Sequence, residues 1–129
     1  MATGISEVMT SHIHTIGSDQ TVDHARHMMQ ELGIHHLPVL KGGRMIGILT
    51  ARALKLAYIV DGQKVPSLKV SEVCEEDVYT AQLNESLSAV ATEMFKRHAV
   101  CCIIVDDREK IVGIFTATDA CRLLSELSR

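Results

Sequence analysis

The chain has 129 residues, enough for one domain-sized core in which folding removes about two-thirds of the unfolded surface from water. Its 47% hydrophobic and 22% charged residues exclude a disordered chain, and a formal charge of -3 with no basic run argues against a nucleic-acid footprint. Apolar runs no longer than a strand exclude a membrane-spanning helix, and the lack of a signal-peptide start makes the cytoplasm the expected location.

In chain order, Val8-Met9-Thr10 leads into a short strand candidate at His12 to Ile16, weakened by the polar residues His12, His14 and Thr15. Val22, Ala25, Met28, Met29 and Leu32 fall at helical spacing and stop at Gly33. Leu37 to Leu40 and Met45 to Leu49 flank Lys41-Gly42-Gly43-Arg44, which predicts two antiparallel strands joined by a glycine turn. A helix follows from Ala51 to about Val60, and Asp61 to Lys69, with Gly62 and Pro66, reads as a linker. The order then recurs: a strand at Asp77 to Ala81, a helix through Leu87, Val90, Ala91, Met94 and Phe95 after a Ser86 cap, strands at Cys101 to Val105 and Lys110 to Phe115, and a helix from Ala117 to about Leu127.

The recurrence is in the residues as well as the pattern. A shift of 65 positions sets Val8 on Val73, Thr15 on Thr80, Val22 on Leu87, Met29 on Met94 and Val39 on Ile104. One extra residue in the Asp106 to Lys110 loop changes the shift to 66, and Gly47-Ile48-Leu49-Thr50-Ala51 then falls on Gly113-Ile114-Phe115-Thr116-Ala117. The chain therefore divides into a repeat over 1–60, a linker over 61–69 and a second repeat over 70–129, each repeat a β-α-β-β-α unit too small to be comfortable alone.

Val8-Met9-Thr10, Ile34-His35-His36-Leu37-Pro38-Val39, Gly47-Ile48-Leu49-Thr50 and Gly113-Ile114-Phe115-Thr116-Ala117-Thr118-Asp119, in that order, resemble the CBS domain family, whose repeats occur in pairs known as Bateman modules. The resemblance covers nearly the whole chain. It implies an α/β fold of two tandem repeats with pseudo-twofold symmetry, sheets packed together and helices outside, with Val39, Ile48, Ile104, Ile114, Met29 and Met94 in the core. It further implies a non-catalytic regulatory module that binds AMP, ADP, ATP or S-adenosylmethionine in a cleft between the repeats, needs no cofactor, forms a homodimer and acts on an effector protein in trans. No nucleic acid or membrane partner is expected.

Carried onto this sequence, the family's last motif points to Gly113, Thr116 and Asp119 for ribose and phosphate. The chemistry is reasonable: glycine permits close backbone approach, a hydroxyl at a helix start sits among free N–H groups, and a carboxylate can accept both ribose hydroxyls. Thr116 and Asp119 also have the spacing of a capping box that does no more than start a helix. The first repeat keeps Thr50 but has Ala53 where the carboxylate would stand, so one good site is expected and not two. For adenine the resemblance points to Val78, Tyr79, Thr80, Val100, Cys101 and Cys102, with Tyr79 either stacking on the base or merely facing outward from its strand. His35 and His36 fall where some family members hold phosphate.

Other readings are weaker. The seven histidines give pairs, His12 with His14 and His24 with His27, but no convergent set of three or four metal ligands, so no metal site is expected. The four cysteines include no Cys-x-x-Cys pair and read as reduced thiols, and Cys101 near His98 lacks the orienting third group a nucleophile needs. A ligand-free dimerisation or interaction module is the principal alternative.

Overall fold

Four helices start where a side-chain oxygen can satisfy an otherwise unbonded N–H. In the computed structural model, which describes residues 3–128, the Thr21 hydroxyl accepts from the His24 N–H (3.1 Å) to open helix α1, Val22–Leu32, and Ser86 accepts from the Ala89 N–H (3.0 Å) to open α3, Leu87–Arg97. Thr50 opens α2, Ala51–Asp61, and Thr116 opens α4, Ala117–Leu127. Helix α1 ends on Gly33 in the left-handed region (φ 65°); α3 ends in the same conformation on His98 (φ 56°), where a side chain makes it less favourable.

Each repeat builds a three-stranded sheet, with a short first strand parallel to the second and the second paired antiparallel to the third. In the first repeat these are β1 (Ile16–Gly17), β2 (His36–Lys41) and β3 (Arg44–Thr50); in the second, β4 (Thr80–Gln82), β5 (Cys101–Val105) and β6 (Ile111–Thr116). The leading strands are shorter than the sequence predicts and lie one or more residues later. Ile16 and Ala81 are the buried side chains that these segments give to the sheet, and the polar stretches before them stay outside the ladder.

The chain forms two compact units whose limits do not coincide with the repeats: one is residues 14–78, the other joins residues 3–13 to 79–128. In the first unit, α1, α2 and the β1–β2–β3 sheet enclose Val22, Met29, Val39, Leu49 and Leu54. The stretch read as a linker completes this core. It forms a 3-10 turn at Val65–Ser67, the first residues of the second repeat form another at Val70–Glu72, both valines are fully buried, and the Val22 N–H donates to the Leu68 carbonyl (2.8 Å). Ile48 and Glu75 then exchange backbone hydrogen bonds of 2.8 and 2.9 Å.

The second unit is built the same way from the opposite end of the chain. Residues Ile5–Glu7 form a 3-10 turn, Ile5 is fully buried with Val90, Met94, Ile104 and Phe115, and the Leu87 N–H donates to the Thr3 carbonyl (2.8 Å). Thr10 and Ile114 exchange hydrogen bonds of 2.8 and 2.9 Å. Under the repeat alignment Ile5 matches Val70 and Thr10 matches Glu75, so each repeat's leading arm packs with the body of the other. Burial of Ile5 contributes on the order of 1.5–3 kcal/mol to a core formed by sequence-distant residues. Of the expected core residues, Val39, Ile48, Ile104, Met29 and Met94 are buried; Ile114 is only partly so.

Candidate functional site

The corner where β6 turns into α4 gathers the residues of the last motif. Thr116 is paired with Cys101 in the sheet, and the Ala117 N–H donates to the carbonyl of Val100, the residue just before β5 (2.8 Å). On the other side of β5, Thr80 pairs with Ile103, whose N–H donates to the Tyr79 carbonyl (3.0 Å). Tyr79, Thr80, Val100, Cys101, Thr116 and Asp119 therefore belong to one unit and cluster around the start of its central strand.

Thr116 and Asp119 form a complete capping box. The Thr116 hydroxyl accepts from the Asp119 N–H (3.1 Å), and Asp119 Oδ2 accepts from the Thr116 N–H (2.9 Å). The second carboxylate oxygen, Oδ1, is not used by the cap; it has the Arg122 guanidinium 3.8 Å away. Asp119 is 15% exposed, and Ala117 and Thr118 beside it are exposed. One oxygen is thus fixed by the backbone while the other can accept a ligand hydroxyl, so the cap and the ribose role are compatible in one side chain.

Gly113 serves a packing purpose that its sequence context did not suggest. A Cβ there would collide with the Met9 side chain, so the glycine makes room for the arm. Gly47 does the same in the other unit, where a Cβ would meet the Glu75 carbonyl oxygen at 2.5 Å and Cys74 Sγ at 2.9 Å. Met9 and Cys74 occupy equivalent positions in the two arms, so the two glycines play the same part in each unit.

The aromatic at the corner is not an open face. The Tyr79 ring packs on the core cluster and has the Arg97 guanidinium 4.7 Å from its centroid, and Arg97 Nε is itself 3.2 Å from Glu93 Oε1. Burial, then the neighbouring Cys102, Glu85 and Glu93, push the phenol up to about 12. Cys102 lies fully buried in the same cluster, and desolvation first, with Cys101 next, raises its thiol to about 12. Both side chains are turned toward the core, which leaves exposed Thr80 and Val100 (57% exposed) as the accessible side chains of the proposed adenine segment. Val78 is the last residue of the other unit.

His35 and His36 lie in the unit of residues 14–78, at its equivalent corner. His36 pairs with Thr50, and the exposed His35 accepts from the Ala51 N–H through its carbonyl (2.9 Å). The Thr50 hydroxyl accepts from the Ala53 N–H (3.0 Å), but Ala53 returns no carboxylate, so this corner has half a capping box. Among the described residues no three His, Cys, Asp or Glu side chains converge to hold a metal ion, and no helix is long and apolar enough to cross a membrane.

Two β-α-β-β-α repeats, each with a threonine hydroxyl at its last strand-to-helix corner, define a tandem-repeat α/β module. The model of the CBS domain matches residues 5–59 and again residues 70–126, and the chain belongs to the CBS domain family. It is 30% identical over 124 residues, 95% of its length, to a homoserine O-acetyltransferase of Methanococcoides burtonii, and spans only 24% of that protein. It is 26% identical to the CBS domain-containing protein YhcV of Bacillus subtilis, covering 89% of this chain and 81% of that one. The solved CBS domain pair of protein MJ0100, in complex with 5′-methylthioadenosine and S-adenosyl-L-methionine, superposes with a TM-score of 0.85 at 26% identity and 98% coverage of both chains.

Proposed function

We propose that this chain is a regulatory, non-catalytic module that binds an adenosine-containing ligand at the Thr116–Asp119 corner. The observation that carries the reading is the division of labour within Asp119: Oδ2 is held at 2.9 Å by the Thr116 N–H, which fixes the carboxylate, while Oδ1 is left for a hydroxyl donor. The ligand class draws support from the MJ0100 pair, crystallised with two adenosine compounds. AMP, ADP, ATP and S-adenosylmethionine are the candidates, with the ribose on Asp119 and the base against the exposed Thr80 and Val100 and the backbone of Tyr79 and Cys101. His35 and His36, in the other unit, are proposed as phosphate contacts of that unit's own corner, which lacks the carboxylate.

The module acts in the cytoplasm on a partner in trans, and its exposed apolar helix residues support self-association as a homodimer. The chemistry at the corner is recognition: the Asp119 carboxylate is already bonded to a backbone N–H. Calorimetric titration with AMP, ATP, S-adenosylmethionine and 5′-methylthioadenosine tests the reading. Saturable binding of at least one supports it; no binding of any at millimolar concentration transfers the case to the ligand-free interaction module.

A further inference from the structure

We infer that Arg122 is a specificity-determining residue of this corner, offsetting the charge of Asp119 so that a ligand carrying negative charge on its 5′ substituent is accepted. The inference rests on the adenosine reading and adds to it which ligands the corner favours. Arg122 lies one turn into α4, and long helical side chains lean back toward the helix N-terminus. Its guanidinium accordingly lies 3.8 Å from Asp119 Oδ1, the oxygen the cap does not use. That distance is too long for a fixed hydrogen bond and short enough for an ion pair. Arg122 is 55% exposed, so it can adjust to an incoming group while Asp119, 15% exposed, stays put.

The other repeat supplies the comparison. Asp119 aligns with Ala53, and Arg122 aligns with Leu56: the acid and the base are present together in one repeat and absent together in the other. A half-exposed pair of this kind adds little to stability, so helix stability is a weak reason for it. Charge balance at a ligand corner accounts for both. With Arg122 present the corner is near neutral and can take a phosphate; without it, Asp119 repels the phosphate but is indifferent to an uncharged 5′ group. The second cation near the corner, Arg97, is already engaged by Glu93 and by the Tyr79 ring.

The test titrates AMP and 5′-methylthioadenosine into wild type, Arg122→Ala, Arg122→Lys and Asp119→Ala at one ionic strength. Arg122→Ala should weaken AMP by about threefold to tenfold and shift 5′-methylthioadenosine by less than about twofold, with Arg122→Lys restoring most of the AMP affinity. Equal losses for both compounds, or unchanged AMP binding, would overturn the inference while leaving the adenosine reading intact. A wild type that binds neither compound overturns both, and Asp119→Ala losing both compounds while Arg122→Ala loses only AMP supports both.

Discussion

Met9 lies where a side chain on Gly113 would have to stand, and Glu75 bears the same relation to Gly47. The two obstacles differ in kind. At Gly113 it is a flexible thioether that can turn aside, whereas at Gly47 it is a backbone carbonyl held by the Ile48–Glu75 hydrogen bonds. Gly47→Ala should therefore destabilise more than Gly113→Ala, by about 1–3 kcal/mol against less than about 1 kcal/mol, in denaturant unfolding. Met9→Ala should relieve most of the Gly113→Ala penalty and none of that at Gly47; equal penalties at the two glycines would refute the distinction.

Asp119→Ala removes both the capping carboxylate and the proposed ribose acceptor. Loss of the carboxylate should weaken adenosine-ligand binding by roughly tenfold to a hundredfold, since charge-assisted hydrogen bonds contribute about 1.5–3 kcal/mol each. Losing the box contact to the Thr116 N–H should also lower stability by about 0.5–1 kcal/mol. Titration read beside thermal unfolding separates the two effects. Ala53→Asp should complete the other capping box and raise the melting temperature.

Stability should fall in alkaline solution. Cys102 and Tyr79 hold their protons up to about 12 in the folded protein, against ordinary values of 9.0 and 10.0. The unfolded chain releases them earlier, so between about pH 9 and 12 it binds fewer protons than the folded one. The contribution is complete below about pH 9 and disappears as the pH climbs through the folded values. Urea unfolding at about pH 8 and about pH 10.5 should show the loss, and Cys102→Ala with Tyr79→Phe should flatten it.

His98 holds the left-handed position that glycine holds in the other repeat. His98→Gly should stabilise by up to about 1 kcal/mol, and Gly33→Ala should destabilise by a similar amount. A lower midpoint for His98→Gly would show that the imidazole contributes more than its backbone geometry costs.

Helix α2 exposes Ile59 (78%) and Val60 (83%), and α4 exposes Leu127 (81%). Self-association through such residues predicts a dimer by light scattering at micromolar concentration. Ile59→Glu and Leu127→Glu should each shift it toward monomer without loss of helicity, and a wild-type monomer at high concentration would remove the homodimer from the proposal.

Periodicity and caps made the helices and hairpins legible: Ser86, Thr116 and Gly33 end or begin helices as their types require, and Cys101–Val105 and Ala117–Leu127 are found with the bounds the sequence suggests. The arms were not legible. Val65 sits in a polar stretch whose composition says linker, Val70 follows just after it, and Ile5 stands alone in an unpatterned segment; a residue that closes a distant core leaves no local period to read. At the corner, Thr116 and Asp119 could be foreseen from their spacing. The inward turn of Tyr79 and the reach of Arg122 depend on what packs above them, and one sequence does not carry that.

The exchange of arms also sets an order in time. During synthesis residues 14–78 emerge as one uninterrupted stretch and can close their unit as soon as Glu75 reaches Ile48. The other unit must hold Ile5 and Thr10 unpaired until Ile114 has been made, a wait of more than a hundred residues, or about 5–20 seconds at ordinary elongation rates. The corner that carries Asp119 thus closes after the unit of residues 14–78, and its closure depends on an arm that was made before that unit.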